Sequence, residues 1–228
     1  MNLINFFKRK IKNTPFILPI VSSLYLKLIG NNKFKKMGSK NIIKVGTSIV
    51  RNSVVFIKGN FNEILIGNDG RLDNLKINIQ GNYNRIYIDD STNLNEAEFW
   101  IEDDYGKISI GKKTTVQGKT HFACIEGCEI KVGQDCMFST EIVFRTGDSH
   151  SIIDSNGIRI NKSKNIIVGN HVWLGNKTII NKGVEILDNC IVGAGSIVTK
   201  SLGDTGAVIV GAPARVVSRN VNWLRERI

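Results

Sequence analysis

The sequence predicts an all-β solenoid, a chain wound into stacked coils of short parallel strands. Two repeats carry that fold class. From residue 56 onward a period of 22 residues runs through the chain, and after residue 165 it tightens to six. A third observation removes an obstacle: Pro15, Pro19 and Pro213 are the only prolines, so none between residues 20 and 212 breaks a backbone ladder.

The longer period aligns Ile57-Lys58-Gly59-Asn60-Phe61-Asn62-Glu63-Ile64-Leu65-Ile66 with Ile79-Gln80-Gly81-Asn82-Tyr83-Asn84-Arg85-Ile86-Tyr87-Ile88. The same frame continues through Ile101, Ile108 and Ile110, then Ile130 and Val132. Asn and Gly recur where each strand must turn, and both tolerate positive φ. In the shorter period Val168, Leu174, Ile180, Ile186, Val192 and Val198 stand six apart without a gap. Four residues after each come Val172, Thr178, Val184, Cys190, Ser196 and Leu202, mostly small; Val132, Phe138 and Phe144 begin the phase earlier. A helix has no such period, and a lone strand would alternate every two residues. Six residues fit one short strand plus a turn, and three such units close a triangular coil.

With 228 residues, 42% of them hydrophobic, and a mean hydropathy of −0.06, the chain reads as a globular domain that can bury its own core. Its net charge of +11 suggests a polyanion partner until it is mapped. Residues 1–40 hold nine basic residues (Lys8, Arg9, Lys10, Lys12, Lys27, Lys33, Lys35, Lys36, Lys40) and no acid, leaving 22 basic against 20 acidic residues in the other 188. The body is close to neutral, and nucleic acid is not an expected partner.

The arm, residues 1–40, is expected to be helical. It joins Phe6-Phe7-Lys8-Arg9-Lys10 to an apolar run from Phe16 to Ile29 broken by Lys27. That run falls short of the roughly 20 apolar residues a spanning helix needs, and no small-x-small cleavage site follows it. Two readings stay open: an amphipathic helix on an anionic membrane surface, or a helix packed on the body with a solvated basic face. Residues 41–228 form the expected β-helix domain, with a loop over 145–165 and a tail over 212–228. A cytoplasmic location is expected, peripheral on the inner face of the membrane under the first of these readings. Cys124, Cys128, Cys136 and Cys190 are expected as free thiols, with Cys136 and Cys190 on core positions of the repeat.

The hexads from Val168-Gly169-Asn170-His171-Val172-Trp173 to Val192-Gly193-Ala194-Gly195-Ser196-Ile197 resemble the hexapeptide-repeat acyltransferases. Arg145 to Trp223 is similar to the bacterial polysialic acid, capsule and lipopolysaccharide O-acetyltransferases. The resemblance implies a left-handed parallel β-helix, a homotrimer with sites between subunits, acetyl-CoA as donor and a glycan acceptor. Residues 1–40 lie outside it.

Moving acetyl from a thioester to a hydroxyl needs a base, and histidine titrates in the right range. The chain has three: His121, His150 and His171. His150 sits in Arg145-Thr146-Gly147-Asp148-Ser149-His150-Ser151, where the six-residue frame lapses until Val168, and function concentrates in such loops. The resemblance makes His150 the general base. Asp148 could orient its imidazole, or close an Asx turn. His121 reads as a solvated turn histidine, or alternatively faces the same cleft as His150, and His171 reads as structural. Trp173 stands one place before an inward Leu174, so its indole should face outward and needs a partner; the resemblance puts it in the active site beside the thioester.

The resemblance also carries donor positions onto Asn176, Ala194, Thr199, Lys200 and Arg215. Ala194, between Gly193 and Gly195, would let pantetheine approach the backbone, and Lys200 and Arg215 suit the nucleotide phosphates. Asn176 departs from the small hydroxyl residue common there. Gly211-Ala212-Pro213-Ala214-Arg215 matches the coil-ending motif and Asn222-Trp223 the tail. No metal site is expected, because gaps of 29 and 21 residues between histidines leave no close pair. The expected activity is acetyl-CoA-dependent O-acetylation of a surface glycan. An N-acetyltransferase of an amino-sugar nucleotide, which acceptor screening would separate, and a non-catalytic β-helix scaffold are the rivals.

Overall fold

A computed structural model describes residues 30–228, and every element in it is a β-strand. The 24 strands form three sheets of eight, seven and nine strands, the faces of a triangular prism. Along each face a strand pairs in parallel with the one a full coil further on. On the first face, for example, Lys76–Gln80 lies between Val54–Lys58 and Ala97–Glu102. The chain makes about eight turns. No described helix is long and apolar enough to cross a membrane.

Coil length follows the two sequence periods. Lys76 stands opposite Glu98, 22 residues on, whereas Ile179 stands opposite Ile197, 18 residues on. Between these regimes Val143 stands opposite Ile179, 36 residues on. One further coil's length of chain leaves the prism there.

The inward hexad residues Val168, Leu174, Ile180, Ile186, Val192 and Val198 are all buried, and so are Val172, Thr178, Val184, Cys190 and Ser196 four places after them. Phe99, Phe122 and Phe144 stack through three successive coils at 5.0 and 4.8 Å. Burying each ring contributes about 2 kcal/mol. All four cysteines are buried free thiols.

Three expectations change. Residues 1–29 of the expected helical arm lie outside the described residues, but Lys33–Met37 is a strand of the first face. Phe34 turns toward the core while Lys33, Lys35 and Lys36 stay in solvent, so the solenoid begins before residue 41. His121 lies on the strand Thr120–Cys124, not in a turn, because the stretch around it keeps the alternation of inward and outward residues. Gly59 and Gly81 take the expected positive φ (142° and 136°), as do Asn52 and Asn74 in other turns (52° and 58°), but within each Asn-aromatic-Asn turn the positive φ between the asparagines falls to the aromatic, Phe61 and Tyr83, both at 57°. The asparagines act through their side chains instead, Asn60 N donating to Asn82 Oδ1 at 2.9 Å and Asn84 N to Asn62 Oδ1 at 2.9 Å. Gly59 and Gly81 are required by close approach, since an added Cβ would meet the next coil's carbonyl oxygen at 1.8 and 2.0 Å.

The last coil ends in an antiparallel pair, Val208–Gly211 with Ala214–Ser218. The tail then folds back as a strap. Trp223 stacks on His171 at 4.0 Å and donates Nε1 to its carbonyl at 2.9 Å, while Arg225 reaches Asp135 at 3.1 Å.

Candidate active site

Residues 146–165 leave the prism at the edge between the first-face strand Val143–Arg145 and the second-face strand Ile166–Val168. Two small features let the chain depart. Thr146 is wholly buried and its Oγ1 accepts from Ile125 N at 2.9 Å. At Gly147 a Cβ would lie 2.2 Å from Ser163 Oγ and 2.6 Å from Ile125, so only glycine lets the outgoing and returning segments close against each other. The outer part is a hairpin turned at Asn156-Gly157, with Ile160 N donating to Ile152 O and Asp154 N to Ile158 O, both at 2.9 Å.

Asn161 rivets this loop. Its Nδ2 donates to Asp148 Oδ2 at 2.8 Å and to His150 O at 2.7 Å, and its Oδ1 accepts from Ile152 N at 2.7 Å. From the coil below, Lys182 ion-pairs with Asp148 and donates to Asn161 O at 3.0 Å. Arg159 completes the anchorage on Glu126 at 2.6 Å. Lys182 and then Asn161 hold the Asp148 carboxyl below its ordinary range.

His150 therefore has a fixed backbone and an exposed imidazole with no hydrogen-bond partner among the described residues. Asp148 is not that partner; its carboxylate is engaged by Lys182 and Asn161. A cleft of about 540 Å³ opens at the root of the loop, lined by Arg145, Gly147, Asp148, Lys164, Asn181, Lys182 and Thr199. Three cations against one carboxylate favour an anionic or strongly polar guest there. A base with a free nitrogen beside such a cleft can accept a proton from a bound hydroxyl.

The other expected site residues are only partly gathered here. Thr199 lines the cleft. Trp173 is 38% exposed, but it belongs to the third face, where it tilts against Trp223 at 6.2 Å. Asn176 and Ala194 sit in successive turns between the third and first faces, joined by Gly195 N donating to Asn176 O at 2.7 Å. Asn176 spends its amide on Thr140, at 3.0 Å to the carbonyl and 2.6 Å to Oγ1. Gly193 is explained within the chain, since a Cβ there would lie 2.7 Å from Val210; Gly195 faces open space at φ 70°. Lys200 and Arg215 are exposed, and neither forms an ion pair among the described residues.

The remaining histidines are engaged. His121 Nδ1 lies 3.1 Å from Glu98. His171 holds Asp135 at 2.7 Å and Trp223 O at 3.0 Å, the structural role its turn position implied. Among the described residues no group of three or more His, Cys, Asp or Glu is placed to hold a metal. Lys182 and Asn161, which position the loop, carried no sequence signal beyond their polarity.

Comparison with known proteins places this geometry. Residues 165–200 match the bacterial transferase hexapeptide (six repeats) family. A polysialic acid O-acetyltransferase of Neisseria meningitidis is 33% identical over 200 residues, 87% of this chain and 92% of that protein. One from Escherichia coli O1:K1 / APEC is 33% identical over 116 residues; the match spans 50% of this chain and about a third of that protein's length, 37%. The crystal structure of the polysialic acid O-acetyltransferase OatWY superposes with a TM-score of 0.82 at 32% identity, covering 86% of this chain and 92% of that one. The solenoid is thus the left-handed parallel β-helix of hexapeptide-repeat acetyltransferases. With a relative matched over almost its whole length and a fold shared along the prism, the chain belongs to the polysialic acid O-acetyltransferase family of hexapeptide-repeat acyltransferases.

Proposed function

We propose that the protein transfers acetyl from acetyl-CoA to a sugar hydroxyl of a bacterial surface glycan, with His150 as general base. The observation that carries this is His150 itself: an unpartnered imidazole on a rigidly anchored loop beside a cation-lined cleft. His150 takes the proton of the acceptor hydroxyl as its oxygen attacks the thioester carbonyl, and returns a proton to the departing sulfur. No cysteine intervenes, because all four are buried and burial pushes Cys124 up to about 12 and Cys136 up to about 11. Lys200 and Arg215 supply free cations for the donor's phosphates, Thr199 lines the cleft, and open space at Gly195 beside Ala194 suits a narrow pantetheine. Asn176, committed to Thr140, would act through its backbone.

The working unit in this reading is a homotrimer whose sites lie between copies. The excursion hairpin supports it: Ile152, Ile153, Ile158 and Ile160 are each more than half exposed, an apolar surface suited to burial against a neighbouring copy. That neighbour would bring its Trp173 beside His150. The basic arm, acting at the inner face of the membrane, would keep a cytoplasmic enzyme where surface glycans are built.

Incubation with acetyl-CoA and a panel of capsular glycans tests the reading. Thiol release should depend on glycan and be matched by alkali-labile acetyl ester on it. Thiol release with amino-sugar nucleotides alone would contradict it.

A further inference from the structure

We infer that the prism edge beside the excursion loop is a sugar-stacking subsite with the ring of Tyr105 as its platform, an inference that rests on the glycan reading above. Successive turns between the first and second faces place Phe61, Tyr83 and Tyr105 in one column along this edge. All three are at left-handed φ (57°, 57° and 64°), a conformation bulky side chains rarely adopt and one that costs free energy. Their rings stack at 4.9 and 5.2 Å with planes within 6° and 5° of parallel. Lys40 Nζ caps the far end, 4.9 Å from the Phe61 ring.

The near end is open. Tyr105 is 67% exposed, and no ring or cation packs on its second face among the described residues. The column stops because Gly127 follows in the next coil, where an added Cβ would stand 4.0 Å from Tyr105 Cβ. Its neighbour Glu126 turns away to bind Arg159 at 2.6 Å and to accept from Ser163 N at 3.2 Å. What remains is the open outer face of Tyr105, with side-chain-free Gly127 in the next turn and, adjoining Gly127, Glu126 held by Arg159 of the excursion loop. That loop carries His150 on the same edge of the prism.

That combination fits a pyranose. Its C–H face packs on an aromatic ring, whose π face is electron-rich, while its hydroxyls meet polar groups. A sugar polymer lying along the edge would place one unit on Tyr105 and a later one beside His150. Ring-on-ring stacking supports the coils within the column, and the outer face of Tyr105 is the one end left without a ring or cation on it among the described residues.

The test uses the full chain, a sialic acid oligomer as acceptor, and Tyr105→Ala beside Tyr105→Phe. KM for the oligomer should rise about tenfold in Tyr105→Ala, while Tyr105→Phe, which keeps the ring, stays within about twofold of wild type. Should Tyr105→Ala fail to fold, Tyr105→Leu replaces it with the same expectation. An unchanged oligomer KM overturns the subsite, and so does loss of the oligomeric state on size exclusion, which would make the edge a subunit contact. If the wild-type protein acetylates no glycan, oligomer binding followed by saturation-transfer NMR decides independently. Binding lost in Tyr105→Ala supports the subsite although the activity reading has failed, and no binding to wild type overturns it.

Discussion

His150 and Trp173 stand on different sides of the same prism. The loop carrying His150 leaves at the edge between the first and second faces, whereas Trp173 opens a strand of the third. One chain does not bring them together, so a site using both requires a second copy. Mixing His150→Ala with Trp173→Ala protein under conditions that exchange subunits should restore activity to about a quarter of wild type, because one random neighbour pair in four supplies both intact residues. Activity no higher than the sum of the separate mutants would place the two residues in independent roles.

The hairpin isoleucines make the neighbour contact testable by itself. Ile158→Asp with Ile160→Asp puts two charges where burial is expected, and a charge left unpaired in an interface opposes association. Size exclusion should show the variant shifted to monomer with activity lost. A trimer that persists would free the hairpin from that role.

The C-terminal strap should matter to stability rather than to chemistry. Trp223 is 5% exposed and stacked on His171, so Trp223→Ala should cost about 3 kcal/mol. Beneath it, burial acts to raise the Asp135 carboxyl, but hydrogen bonds from His171 and Arg225 outweigh it and leave the group below its ordinary 3.8. A carboxyl lowered on folding stabilises above its unfolded value and loses that contribution as pH falls through the folded one. Melting curves of wild type and Asp135→Asn should therefore differ at neutral pH and converge below about pH 4. A constant difference down to pH 2 would remove the ion pair from the explanation.

The buried thiols predict inertness. With Cys124 and Cys136 titrating far above neutrality, iodoacetamide at pH 8 should label neither residue in the folded protein and leave turnover intact. An acetyl-enzyme on any cysteine, seen by mass spectrometry after mixing with acetyl-CoA, would replace direct attack with a two-step route.

Much of this architecture was readable from residue spacing, because a column of inward side chains must repeat once per face and the six-residue series from Val168 to Val198 does so. The lapse in that series before Val168 marked the excursion and His150 within it. What spacing did not carry was contact between distant residues. Lys182 reaches Asp148 across 34 positions, and Asn161 reaches it across 13. No local pattern links these polar residues, so Asp148 could be read as a partner of His150 when its carboxylate is engaged elsewhere. The asparagines of the Asn-aromatic-Asn turns misled for a different reason. Asn60 and Asn62 are there for ladders of side-chain amides, and the strained backbone conformation falls to Phe61 between them.

The most direct single measurement is the turnover number of His150→Ala with acetyl-CoA and a glycan accepted by the wild type. Loss of the general base should lower kcat between about 100-fold and 10,000-fold while the protein remains folded and assembled. Near wild-type turnover in that variant would contradict His150 as the base and, with it, the chemical role assigned to the excursion loop.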